Sequence, residues 1–437
     1  MKQRIYYIIT VLLLTTVFTL NAQEVIPISK EEVLHIVSEK NIDLKISEEE
    51  FKQARADYRQ TNAVFLPNIT VSHTGMATTN PLMAFGSKLN QEILTQNDFN
   101  PDLLNDPSQI ENFATKLEIQ QPLLNLDGFY QRKAAKSKME ATALKKERTS
   151  EYLEFEVEKA YMQLQLAYKA VEVLEKALKA ANANKKLADD NFKQGYLQRA
   201  DVLKVEVRVT EVKNQLQTAK SNVKNASDYL SFLLNDASYV VYLPSDSLTV
   251  TNFQMAKESI SESRPDIKAM ALATNAYKAV NKADKMSFLP KLNAFGSYEL
   301  YDDEIFQTGA KGYLFGAQLS WDIFQGSKRF AKAQKSKAEY EKSKLQYTQY
   351  VAKSNLELNK AKRLFIDAKN KLDLTTLALQ QYQESLRIIT NRFKEGLEKT
   401  SDLLLAETNY AQKQLEYYQT IFEYNYAQSY LKFLTKE

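Results

Sequence analysis

The side chains that most often do covalent or metal chemistry are scarce in this 437-residue chain. It has no Cys and only two His, so it offers no disulfide, no thiolate metal site and no thiol nucleophile. His35 and His73 lie far apart with no partner ligand pattern, and both read as structural. There is no phosphate-binding glycine loop, no Gly-x-Ser-x-Gly elbow and no His-Glu-x-x-His helix. The 54 Asp and Glu residues supply carboxylate pairs by coincidence alone, so none is singled out for acid–base work, and no enzyme activity, metal or cofactor is expected. One spacing does stand out because it occurs twice: Gly195 six residues ahead of Asp201, and Gly396 six residues ahead of Asp402. Glycine lets a helix end at positive φ, and aspartate is a preferred N-cap of the helix that follows. The expected chemistry is that of two tight helix-to-helix turns, each with a carboxylate beside it.

The elements around those turns repeat once along the chain. Phe65-Leu66-Pro67 recurs as Phe288-Leu289-Pro290, and Asn191-Phe192-Lys193-Gln194-Gly195 as Arg392-Phe393-Lys394-Glu395-Gly396. The register continues through Asp201/Asp402 and Glu206/Glu407 to Tyr229-Leu230 and Tyr430-Leu431. The first copy is longer because of an Asn/Asp/Pro-rich stretch from Asn80 to Asn112, which reads as an enlarged loop. The expected organisation is a signal peptide at 1–22, a first repeat at 23–235, a linker at 236–255 and a second repeat at 256–437.

Each copy opens with a helix. Ser29 with Glu32 three residues on is a capping box, and Pro67 and Pro290 mark helix-to-strand turns, because the residue before proline is pushed toward extended geometry. Alternating segments follow. Tyr313, Phe315, Ala317, Leu319 and Trp321 form an apolar face of period two, with weaker strand signals at Ile69 and Val71, Leu117 and Ile119, and from Lys291 to Tyr301. The longest element comes next. Leu153, Val157, Ala160, Leu164, Ala167, Val171, Leu174, Leu178 and Ala181 are spaced alternately by four and three, as are Leu358, Ala361, Phe365, Ala368 and Leu372 in the second copy. That is a coiled-coil heptad. Helix-compatible sequence from Gly128 to Gly195 spans about 100 Å at 1.5 Å per residue, with a shorter return leg from Asp201 to Asn235. Between the copies, Tyr239-Val240-Val241-Tyr242-Leu243 reads as a short strand.

Composition and the N-terminus set the compartment. Lys2 and Arg4 precede an apolar run from Ile5 to Leu20 that ends near Ala22, the pattern of a secretory signal peptide. Lacking Cys, the exported chain is not expected to carry a lipid anchor. No later apolar run approaches the length of a transmembrane helix, which leaves a periplasmic, secreted or β-barrel protein. The net charge of +4 is small and mixed along the chain, so nucleic acid is not an expected partner. Basic residues do cluster after the strands (Arg132, Lys133, Lys136, Lys138 and Lys328, Arg329, Lys332, Lys335, Lys337), where they suit either anionic lipid headgroups or a solvated helix face. Four short strands in one chain cannot close a bacterial outer-membrane barrel, which takes an even number of at least eight; three chains would supply twelve.

The duplicated order of helix, Phe-Leu-Pro, strand pair, long helix and Gly-x5-Asp turn resembles the TolC-like outer membrane factor family over nearly the whole exported chain. The resemblance implies a mainly α fold with a small β-barrel portion. Long antiparallel coiled-coil hairpins would form a periplasmic tunnel, and four strands per chain would complete a trimeric twelve-stranded barrel in the outer membrane of a Gram-negative bacterium. It also implies the function of an exit duct for a tripartite efflux pump or type I secretion system. The partners would be two further copies of the chain, a periplasmic adaptor protein, an inner-membrane transporter and outer-membrane lipids. By this likeness Gly195, Arg199, Asp201, Phe393, Gly396, Glu398, Lys399 and Asp402 belong to the periplasmic aperture, with Asp402 repeating around a threefold axis as a carboxylate ring. Tyr313, Phe315, Leu319 and Trp321 would face lipid, and the loops from Asn80 to Asn112 and from Asp302 to Lys311 would lie outside the cell. The family's aperture has a second aspartate where this chain has Leu405, and a tyrosine and an arginine where it has Phe393 and Glu398. The residues alone also fit a second class, an exported coiled-coil scaffold or adhesin without a pore. They do not fit a periplasmic adaptor, which needs Gly-rich β domains.

Overall fold

The computed structural model describes residues 25–238, 240–251 and 259–436; the signal-peptide reading of 1–22, and Tyr239 in the linker strand, lie outside them. The fold is mainly helical with one four-stranded sheet and one two-stranded sheet among the described residues. These residues form two compact units, one drawn from Met1–Ser47, Glu147–Arg264 and Ala352–Glu437, the other from Glu48–Lys146 and Pro265–Val351. Each unit takes residues from both sequence copies.

In the first unit, strand β1 (Val25–Ile28) precedes α1 (Lys30–Lys40). The capping box forms: the Ser29 hydroxyl accepts from Glu32 N at 3.2 Å, and Ser29 N donates to the Glu32 carboxylate at 2.8 Å. Asn41 then starts α2 (Ile42–Gln60), its Oδ1 accepting from Asp43 N at 2.8 Å while its Nδ2 holds the Leu233 carbonyl at 2.9 Å. The long helix α5 (Leu126–Lys193) is 68 residues and its return helix α6 (Arg199–Leu234) is 36. The second copy matches them with α8 (Lys328–Lys394) of 67 and α9 (Thr400–Thr435) of 36. The heptad positions Leu153, Val157, Ala160, Leu164, Ala167, Leu174 and Ala181 are buried, as are Leu358, Ala361, Ala368 and Leu372. The linker supplies β4 (Val241–Pro244), which pairs in parallel with β1 and packs Tyr242 into a core with Val33, Leu164 and Leu230. A parallel pairing of two four-residue strands over two hundred residues apart leaves no local signal, and β1 was not expected.

The second unit holds β2 (Asn68–Thr78), β3 (Ile110–Leu124), β5 (Lys291–Asp302) and β6 (Ala310–Ser320), antiparallel in the order β2-β3-β5-β6. The enlarged loop is not featureless: it contains α3 (Pro81–Asn90), a 3₁₀ turn at Gln96–Phe99 and α4 (Pro101–Asn105). Helix α7 (Pro265–Met286) leads into the second Phe-Leu-Pro turn. Both Phe-Leu-Pro turns are gripped in the same way. Arg132 in α5 donates to Thr61 Oγ1 and Tyr58 Oη, and Arg329 in α8 donates to the Ser287 and Asp322 carbonyls. Each guanidinium also lies over a ring, Tyr58 at 4.4 Å and Phe288 at 4.6 Å. The Phe65 carbonyl accepts from Gln121 and the Phe288 carbonyl from Trp321 Nε1, both at 2.9 Å. The basic clusters are therefore largely committed inside the chain, with Lys138 paired to Asp57 and Lys332 to Asp284 as well.

Candidate functional site: the hairpin tips and the sheet

Each long helix ends in the same hydrogen-bond pattern. Gly195 N donates to the Phe192 carbonyl at 2.9 Å and Tyr196 N to the Asn191 carbonyl at 2.9 Å; in the second hairpin Gly396 N reaches Phe393 at 3.0 Å and Leu397 N reaches Arg392 at 2.9 Å. This is the Schellman arrangement, which needs a left-handed residue after the last helical turn. The glycines supply it, at φ 82° and 74°. The space around both is open, with nothing within 4 Å of an added Cβ, so glycine is required there by backbone conformation and not by crowding.

The aspartates do not cap. Gln198 and Lys399 occupy the N-cap positions, at φ −85° and −83°, and neither makes a side-chain cap bond. Asp201 and Asp402 sit three residues in, at the third position of their helices. There the carboxylates face the positive end of the helix dipole while their own N–H groups bond the Gln198 and Lys399 carbonyls at 3.0 Å. The cap expectation misplaced them by three residues. The two carboxylates also differ in company: Asp201 pairs with Lys204 at 3.2 Å, whereas Asp402 accepts from the Ser401 hydroxyl at 3.3 Å.

The remaining tip residues are brought together within each hairpin. Glu398 pairs with Arg392 at 2.8 Å across the turn of its own chain. Arg199 lies 3.9 Å from Glu206, which also meets Lys185 at 3.4 Å. Phe393 is half-buried in the last turn of α8 and Lys399 is exposed. Among the described residues, Asp201 and Asp402 make their side-chain contacts inside their own turns. What the sequence reading missed is the stitch between hairpins: Asn184 of α5 donates to Glu407 of α9. Burial raises the Glu407 carboxyl above its ordinary 4.5, against the Asn184 amide and the Arg208 charge, which lower it. The signal that could have found it was in the repeat, since Glu206 and Glu407 are counterparts.

The sheet has two unlike faces. From the register, Ile69 and Val71, Leu117 and Ile119, Tyr298, and Tyr313 and Phe315 share one side; Ser72, Lys116, Glu118, Gln120, Ser297 and Glu299 share the other. The first side is apolar and exposed, with Phe315 at 78%. The second carries a bonded ionic group, Lys116 lying 3.2 Å from Glu118 and 3.4 Å from Glu299. Tyr313, Phe315 and Leu319 are all exposed on β6, and Trp321 stands one residue past its end. Strands β2 and β6 are unpaired on their outer edges among the described residues. Pro67 and Pro290 stand just ahead of β2 and β5. No helix among the described residues is long and apolar enough to cross a membrane.

A profile of the outer membrane efflux protein family matches residues 33–236 and 258–434, once in each copy. No curated protein sequence matches the chain significantly. Solved structures do match in fold: CusC, studied for the conformational changes accompanying folding and transmembrane channel formation, at TM-score 0.80 and 16% identity over 93% of this chain and 91% of that one. The outer membrane protein VceC of Vibrio cholerae superposes at TM-score 0.80 and 16% identity, over 93% and 96%. The Campylobacter jejuni CmeC outer membrane channel does so at 0.78 and 18%, over 93% and 85%.

Proposed function

The chain belongs to the outer membrane efflux protein family, whose members are channels and not enzymes, and from that premise we propose that this outer membrane efflux channel works as a homotrimeric exit duct serving a tripartite efflux pump or a type I secretion system. The observation that carries the reading is the open four-stranded sheet, apolar on one face, ionic on the other and, among the described residues, unpaired at both edges. Open edges and an exposed apolar face are costly in water, and open edges do not occur in lipid. Three copies joined edge to edge, β6 of one to β2 of the next, give twelve strands with no free edge, the apolar side toward lipid and the ionic side lining a lumen. Residues 23–235 and 256–437 are then two copies of one building plan, each contributing a strand pair and a helical hairpin. The tip residues Gly195, Arg199, Asp201, Phe393, Gly396, Glu398, Lys399 and Asp402 form the periplasmic aperture, where a periplasmic adaptor docks and links the duct to an inner-membrane transporter.

The test is fractionation followed by cross-linking of unboiled protein. A duct appears in the outer-membrane fraction, its cross-linked ladder stops at three, and it conducts ions in planar bilayers. A ladder that stops at two, or a non-conducting protein outside the membrane fraction, would favour the poreless scaffold instead.

A further inference from the structure

The two connections at the loop end of the sheet fold to opposite faces. Between β5 and β6 the connection is short, and Phe306, held at φ 61°, stacks on His73 at 4.4 Å. His73 shares the apolar side with Val71 and Ile69. The connection between β2 and β3 is longer and goes the other way. Ala84, Ser87 and Gln91 form one stripe of α3 and its end, and all three are buried. Helix α3 packs on β3 and β6, where Ile110, Asn112 and Ala310 are also buried, and these three alternate onto the ionic side of the sheet with Lys116 and Glu118. Over the same rungs Gly75, Ala77 and Glu111, on the apolar side, stay exposed.

Gln91 fixes this placement. Its Nε2 donates to the Glu111 carbonyl at 2.8 Å, to Asn112 Oδ1 at 2.9 Å and to the Asp302 carbonyl at 3.2 Å, tying the insertion to β3 and β5 together. The segment is also braced within itself. Asn80 caps α3 through Met83 N at 3.2 Å, Lys88 pairs with Asp98 at 2.7 Å, and Phe85 meets Phe99 edge to face at 5.7 Å. Leu82 and Leu89 are seven residues apart on α3 and both exposed.

We propose that the β2–β3 insertion is a built-in restriction of the duct's outer mouth: α3 is pinned by Gln91 to the lumen side of the rim, and its three copies set the upper size of what leaves. The proposal rests on the trimeric duct reading above, because the ionic side of the sheet becomes a lumen only when the copies close. It makes Gln91, Ala84 and Ser87 positioning residues for an exit filter. The opposite-facing Phe306 belongs to the lipid side and takes no part in the filter.

The experiment is planar-bilayer recording of the full-length protein and three variants. Replacing residues 80–108 with a short Gly-Ser link is expected to raise conductance several-fold and to admit larger neutral polymers from the extracellular side. Leu82→Cys treated with a bulky thiol reagent is expected to lose conductance, and Phe306→Cys treated identically is expected to keep it. Should the link variant misfold, the two cysteine variants decide on their own. Equal conductance and equal polymer exclusion in wild type and link variant would overturn the restriction, as would block at Phe306→Cys with none at Leu82→Cys. If wild-type protein forms trimers that never conduct, it is the duct reading that falls; conducting trimers indifferent to both Leu82 labelling and loop replacement would remove the restriction alone.

Discussion

The two helical hairpins turn on the same Schellman motif yet are packed differently along their outer halves. In the first, Ala181 and Ala188 of α5 are each 1% exposed, and α6 buries Val202, Val205, Val209, Val212, Leu216 and Ala219 in sequence. In the second, the counterpart of Ala181 is Tyr382, 38% exposed, and Leu374, Leu377 and Ile388 of α8 stand open at 69%, 53% and 45%. Leu403 and Ala406 of α9 are buried, but the seam does not continue up α8 as it does up α5. The first hairpin thus closes a continuous seam between α5 and α6, although Leu203 and Val207 stay exposed, while the second leaves more of its long helix as apolar surface in water, at about 25 cal/mol per Å². In the proposed trimer, that surface is where a neighbouring copy would pack.

The sharpest way to break this contrast is a pair of truncations. Leu164 is fully buried in α5, and Leu164→Ala is expected to cost about 2–5 kcal/mol of chain stability through lost transfer and a cavity. Leu374→Ala removes an exposed side chain and should change the stability of a single chain by no more than about 0.5 kcal/mol. Its effect is expected instead in the heat or detergent needed to dissociate the oligomer. Thermal unfolding and unboiled gel mobility measured on both variants separate the two outcomes. Equal loss in both assays for both variants would mean that the second hairpin is as self-contained as the first.

Next in size is the electrostatic difference between the tips. Asp201 has Lys204 beside it, whereas Asp402 has a hydroxyl. In a threefold mouth the carboxylate without a cationic neighbour dominates attraction for multivalent cations. Asp402→Asn is therefore expected to weaken cation block in planar bilayers much more than Asp201→Asn. Both trimers should persist, because a first-turn carboxylate contributes about 0.3–1 kcal/mol to its helix. Equal weakening in the two variants would place both carboxylates, or neither, in the conducting path.

Much of the architecture was legible because it is periodic. The helix-compatible stretch from Gly128 to Gly195, with the heptads inside it, located α5 to within two residues at each end, and the glycines located both turns, since only a few residues tolerate positive φ. What was hidden depends on long-range or local-polar contacts. Strand β1 is four residues whose partner is the distant β4, and the polar side of β2 and β3, meant for a lumen in the duct reading, dilutes their alternation. Helix α3 carried a start signal, Asn80 followed by Pro81, that the surrounding Asn and Asp residues obscured. At the tips, the positions of Asp201 and Asp402 were visible but their helix register was not. The basic clusters were visible too, but not that Arg132 and Arg329 each turn inward to hold a Phe-Leu-Pro corner, because that depends on where the preceding helix ends.

The smallest effect tests the stitch between hairpins. Glu407 is raised above its ordinary 4.5 chiefly by burial, so the folded chain holds that proton more tightly than the unfolded chain does. Stability is therefore lost as pH rises from the unfolded value through the folded one, and the cost of the buried charge is fully present at neutral pH. Glu407→Gln keeps an acceptor for Asn184 and removes the charge. It is expected to raise the thermal midpoint at pH 7.5, by an amount that shrinks as pH is lowered through the ordinary glutamate range. Its counterpart Glu206 faces Lys185 and Arg199 instead, both partly exposed pairs worth about 0–1 kcal/mol each. Glu206→Gln should leave the midpoint unchanged or lower it slightly at neutral pH. A Glu407→Gln midpoint that falls at pH 7.5 would show that the Arg208 attraction outweighs burial, and that the hairpins are joined there by charge and not by the neutral amide contact.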